Sequence, residues 1–140
     1  MRKAYRLVAV ISHRLLPAIL MTAALLPGVL NAQDTNAKRI QILLGDYRFS
    51  PHELTIETGQ VVLLELTNTD NLTPHNFTLK DETGNLDIDI DISAGTTREV
   101  SFTPEVPGTY SFYCSKKLPF MKSHRERGMK GALVVTPDRH

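Results

Sequence analysis

Apolar and polar residues alternate with a period of two through much of the chain beyond residue 38. The clearest case is LDIDIDI at 86–92. Leu86, Ile88, Ile90 and Ile92 fall on one face, and Asp87, Asp89 and Asp91 on the other. Successive side chains of an extended strand point to opposite faces, so this pattern predicts a half-buried strand. VVLLELT at 61–67 is a more continuous apolar run behind Thr58-Gly59-Gln60, and predicts a central strand. Six further strands are expected at 39–44, 54–57, 76–80, 97–103, 108–113 and 131–136. Turn residues punctuate them, among them Gly45-Asp46, Ser50-Pro51, Thr83-Gly84-Asn85, Ala94-Gly95 and Pro107-Gly108. No long helical period follows residue 38. A helical turn is expected only within 118–127 (LPFMKSHRER), with Pro119 in its first turn. About eight short strands predict an all-β fold, a Greek-key antiparallel β-sandwich or barrel.

The first 32 residues break this pattern. They carry Arg2, Lys3, Arg6 and Arg14, no acidic residue, and the uncharged run LLPAILMTAALLPGVL at 15–30. Ala32 and a polar stretch follow. A basic start, an apolar core and a small residue before a polar segment predict a signal peptide over 1–32, with one domain over 33–140. An uncleaved anchor is the alternative, disfavoured by Pro17 and Pro27 in a run already short for a span. Either way the domain faces the far side of a membrane, and the periplasm is the expected location.

Composition then narrows the class. The chain has 140 residues and one cysteine, which excludes an internal disulfide framework and zinc sites built on two or four cysteines. A net charge of +1 argues against a general nucleic-acid binder. Removing 1–32 takes four of the sixteen Lys and Arg and leaves −3. The remaining charge is uneven: Asp81 to Asp91 is acidic, whereas Lys116, Lys117, Lys122, Arg125, Arg127 and Lys130 crowd the segment 114–131.

Four residues carry candidate chemistry. His75 precedes a strand, Cys114 ends the strand GTYSFYC, and His124 and Met129 lie in the connection to the last strand. One thiolate, two imidazoles and a thioether form a soft donor set that suits copper over magnesium, calcium or manganese. Taken alone, a lone cysteine also reads as a small buried hydrophobe, a link to another chain, or a reactive thiol.

Over residues 38–137 the sequence resembles the cupredoxins, in particular the small blue copper proteins of plastocyanin and azurin type. The resemblance lies in YRFSPHELTIETGQVVLLELTN, PHNFTL, AGTTREVSFTPEVPGTYSFYC and HRERGMKGALVV. It implies one type 1 copper ion bound by His75, Cys114, His124 and Met129. It implies that Asn76 ties the two ligand loops together and supports the cysteine sulfur. It also implies outer-sphere electron transfer at an exposed edge of the second histidine.

The departure from the family is the ligand loop. Nine residues, 115–123 (SKKLPFMKS), separate Cys114 from His124, where the family places only a few. Met121 thereby becomes a rival to Met129 as the sulfur ligand. The apolar centre of this loop, ringed by lysines, suits docking of an acidic redox partner on residues 115–127.

The expected function is an exported, monomeric one-electron carrier that binds no substrate and is not an enzyme. The alternative is a copper-delivery protein handing Cu(I) to a cuproenzyme. Copper oxidases and reductases require further metal sites and longer chains.

Overall fold

The computed structural model describes residues 37–139. The expected signal segment, 1–32, lies outside the described residues. Nine strands build two sheets: β1 (Lys38–Gly45), β2 (Arg48–Ser50), β3 (Glu53–Glu57), β4 (Val62–Asn68), β5 (His75–Asp81), β6 (Leu86–Ile92), β7 (Thr97–Phe102), β8 (Gly108–Tyr113) and β9 (Lys130–Thr136). Their order is β2-β1-β4-β7 in one sheet and β3-β9-β8-β5-β6 in the other. The chain crosses between the sheets five times, so many sequence neighbours are not sheet neighbours.

All eight expected strands are present, and β4 is central, flanked by β1 and β7. The alternation at 86–92 holds: Leu86, Ile88 and Ile92 are buried, Ile90 is half-buried, and the three aspartates are exposed. Two features go beyond expectation. The sheets are mixed, because β1 runs parallel to β4 and β3 parallel to β9. Parallel neighbours need a long connection, and these chains travel through the opposite sheet before returning. The ninth strand, β2, spans only three residues and pairs antiparallel with β1. It exists because Phe49 points inward and meets Phe77 and Phe112 at ring distances of 5.9 and 5.2 Å.

The core lies between the sheets. Val62, Leu64 and Leu66 of β4 face Phe77 and Leu79 of β5, Phe112 of β8 and Leu133 of β9 in one cluster. Gly131 is required beside Phe112, since a Cβ there would collide with the phenyl ring and the His52 carbonyl. Pairing of Thr78 with Tyr113 and Leu79 with Phe112 fixes β5 against β8. That register places His75, the first residue of β5, near Cys114, which follows β8.

The helical turn expected over 118–127 is smaller than the sequence suggested, and no helix forms there. Phe120 adopts φ 62°, which breaks any helix that Pro119 starts. A single turn instead follows Ser123. The Ser123 N–H and hydroxyl both donate to Glu126 Oε2 at 2.7 Å, and Glu126 N donates back to Ser123 Oγ at 3.2 Å. This is a capping box. Those bonds also hold the Glu126 carboxyl below its ordinary pKa. Gly128, at φ 103°, ends the turn.

Candidate metal centre

Three donor atoms converge at one end of the sandwich. His75 Nδ1 lies 3.1 Å from His124 Nδ1, and Cys114 Sγ lies 3.9 and 3.4 Å from these two nitrogens. A triangle with these sides has a point about 2.0 Å from every corner, close to a metal–imidazole bond of about 2.0–2.1 Å and a little inside a metal–thiolate bond of about 2.3 Å. His75, Cys114 and His124 are all buried, so such a point is shielded from water. A thiolate with two imidazoles is the donor set that suits copper. The chemistry and spacing of these residues therefore fit a single type 1 copper ion.

The long loop does not displace His124. Its backbone N–H donates to the Lys116 carbonyl at 2.9 Å, so residues 117–123 form an excursion whose ends are pinched together. Lys116 is held in turn by an ion pair to Asp91 at 2.7 Å. Beyond His124, Met129 N donates to the His124 carbonyl at 2.9 Å, and Cys114 N donates to the Met129 carbonyl at 3.1 Å. Backbone bonds thus link Cys114, His124 and Met129 whatever their side chains do. Met129 is fully buried in the core cluster, whereas Met121 is 44% exposed on the excursion.

Burial pushes the Cys114 thiol above its ordinary pKa, against the pull of the Asn76 and Lys116 N–H groups and the Lys116 charge. A metal must therefore displace a proton to bind here. Burial, then the neighbouring His75 and Arg127 charges, push the His124 imidazole down, which favours the neutral form a ligand needs.

The surroundings hold these donors in place. Asn76 N donates to Cys114 Sγ at 3.4 Å. Its side-chain oxygen accepts from Ser115 N at 2.8 Å, and its amide donates to Ser115 Oγ at 2.8 Å. Asn76 therefore joins the strand carrying His75 to the segment carrying Cys114, as the resemblance implies. Two neighbours carried no signal in the sequence. Asp70 Oδ2 lies 2.9 Å from His75 Nε2. Tyr47 lies edge-on to His124 at 4.8 Å and to His75 at 6.2 Å, with the Arg127 guanidinium 4.4 Å above its ring.

Tyr47 also narrows one expectation. His124 is buried, with only 6% of its surface left exposed. The β1–β2 turn explains this. Asp46 and Tyr47 both have positive φ, 49° and 58°, as a two-residue type I′ turn requires. Residues without a glycine's freedom are strained there. The result throws the Tyr47 ring across both imidazoles.

A stiff β-sandwich with one thiol and two imidazoles buried at one end defines a blue-copper type of metal domain. The chain belongs to the cupredoxin-like domain family, whose model matches residues 17–135. Among solved structures it is similar to auracyanin A, a "blue" copper protein from Chloroflexus aurantiacus. That likeness has 26% identity, covers 71% of this chain and 99% of that one, and has a TM-score of 0.56. It is also similar to a reduced auracyanin from Roseiflexus castenholzii, with 23% identity, coverage of 71% and 98%, and a TM-score of 0.60. A copper nitrite reductase from Nitrosomonas europaea shares the fold at 20% identity, with coverage of 74% and 42% and a TM-score of 0.60. No curated protein sequence gave a significant match.

Proposed function

We propose that this protein is a one-electron carrier in which His75, Cys114 and His124, with Met129 as a fourth donor, would hold a copper ion. The observation that carries this reading is the buried triangle of Nδ1, Nδ1 and Sγ atoms. When bound, copper supplies a couple between Cu(I) and Cu(II). The chain's own part is to keep the donors still and dry. Hydrogen bonds from Asn76, the pinch at Lys116 and the packing of Tyr47 all act to that end. Small movement between oxidation states favours rapid transfer.

Burial also weighs against copper delivery. Handing the ion to another protein requires ligands that a partner can reach, and here all three are enclosed. An enzyme would need a place for substrate beside the metal, and on one side the Tyr47 ring packs against both imidazoles. The basic and apolar pattern of 1–32 supports export of the domain 33–140, to the periplasm. No helix among the described residues is long and apolar enough to cross a membrane.

The test is the visible and paramagnetic spectrum of the copper-loaded protein, with voltammetry. An intense thiolate-to-copper band and a reversible one-electron wave are expected. His124→Ala should weaken or shift that band strongly. A variant with an unaltered blue site would remove His124 from the ligand set. A colourless protein that takes up Cu(I) without a reversible wave would favour delivery.

A redox partner would dock on the excursion. Leu118, Phe120 and Met121 are 60%, 106% and 44% exposed. Lys117 and Lys122 flank them, while Lys116 is engaged by Asp91. An acidic partner fits this surface through charge steering. Lys117→Glu with Lys122→Glu is expected to slow oxidation of the reduced protein by hexacyanoferrate(III), an anionic oxidant, about tenfold at low salt. The difference should shrink at high ionic strength. An unchanged rate and salt dependence would place docking elsewhere.

A further inference from the structure

We propose that Asp70 is a positioning residue of the metal centre: its carboxylate keeps the His75 proton on Nε2, leaves Nδ1 bare for the metal, and biases bound copper toward Cu(II). This rests on the reading of His75 as a ligand.

The carboxylate is held at both oxygens, and the backbone that carries it is held separately. Oδ2 lies 2.9 Å from His75 Nε2. Oδ1 accepts the Asp46 N–H at 3.2 Å, from the turn that also carries Tyr47. The Asp70 N–H donates to Asn68 Oδ1 at 3.0 Å. Asn68 is itself buried, and its amide donates to the Thr73 and Ile92 carbonyls at 2.9 and 3.1 Å. Asp70 is therefore built into the wall of the site and does not swing as a free surface acid would.

The chemistry follows from the donor inventory. An ionised carboxylate only accepts hydrogen bonds, so the proton of a neutral His75 ring belongs on Nε2. Nδ1 then carries a lone pair, directed at the neighbourhood of Cys114 Sγ and His124 Nδ1. The opposite tautomer would aim an N–H into that space. His75 is fully buried, so water does not supply a substitute acceptor. A fixed negative charge behind the ring also makes it a stronger donor. That charge attracts a divalent ion more than a monovalent one.

The test compares wild type, Asp70→Asn, Asp70→Glu and His75→Ala in the full chain. Nitrogen NMR of the metal-free protein reads the His75 tautomer, and voltammetry reads the preference for Cu(II) over Cu(I). In wild type the proton is expected on Nε2. Asp70→Asn keeps the size of the group and removes its charge. It is expected to lower that preference about tenfold, an upward shift of about 59 mV for a one-electron couple. Cu(II) affinity should fall about 10–100-fold. Asp70→Glu should restore part of both effects, and the visible band should persist in both variants because Cys114 is untouched.

An Asp70→Asn variant with unchanged potential and tautomer overturns the proposal. His75→Ala separates the two levels. If it keeps an unaltered band, the ligand reading has failed, and this proposal with it. If it loses the band while Asp70→Asn is silent, only the role of Asp70 is wrong. Should Asp70→Asn not fold, a proton on Nδ1 in the wild-type metal-free protein suffices to reject the idea.

Discussion

Cys114→Ser is expected to abolish the intense visible absorption of the copper-loaded protein and its reversible wave. The band arises from charge moving between a thiolate and copper, and a serine hydroxyl supplies neither the soft sulfur nor an anion near neutral pH. Cu(II) affinity should fall by at least about 100-fold, beyond the 10–100-fold typical of losing a merely supporting group. The fold should survive. Cys114 is fully buried, but serine is nearly its size, and the Asn76 N–H that faces the sulfur finds an oxygen instead. Circular dichroism and a denaturation curve of the metal-free variant would confirm this. Blue colour retained in Cys114→Ser would end the present reading of the site. It would leave the cysteine as an ordinary buried side chain.

Phe112→Ala is expected to be the most damaging change to stability. Phe112 is fully buried, stacks on Phe77 at 5.0 Å and meets Phe49 at 5.2 Å. Truncation removes buried surface and opens a cavity that the stiff sheets cannot close. Such changes cost about 3–5 kcal/mol, against a total of about 5–15 kcal/mol for a typical domain. The urea midpoint of the metal-free protein should drop sharply with little change in slope. Phe112→Leu should cost much less. A loss under about 1 kcal/mol for the alanine variant would mean that the three rings do not hold the sheets as described. The effect should reach the metal as well, because Phe112 precedes Cys114 by two positions on the same inward face of the chain.

Strands whose two faces differ in polarity were readable from the chain. LDIDIDI declares its inner face by alternation alone, and VVLLELT declares a central place by its length and flanks. β2 was not readable, since three residues cannot show a period and Phe49 acts through contacts distant in sequence. Parallel pairing was hidden for a related reason: Glu53 meets Ala132 across most of the domain, and no local pattern encodes that.

At the site, His75, Cys114 and His124 were legible because few chemistries use those residue types together. Asp70 was not, because an aspartate in the loop DNLTPH looks like any turn residue. Tyr47 was hidden by its backbone. Gly45-Asp46 announced a turn, but nothing in Asp46-Tyr47 announces positive φ at a bulky residue. The Ser123-x-x-Glu126 box was present in the letters, and it marks the real start of the helical turn better than Pro119 does.

The hydrogen bond from His124 to Lys116 has a further consequence. It divides the ligand loop into a frame and a removable insert. If partners dock on this insert as proposed above, residues 117–123 could lengthen, shorten or change charge to suit a new recipient while the frame that holds the donors stays as it is. Address and voltage would then be inherited separately, and a descendant could change its correspondent without changing its potential.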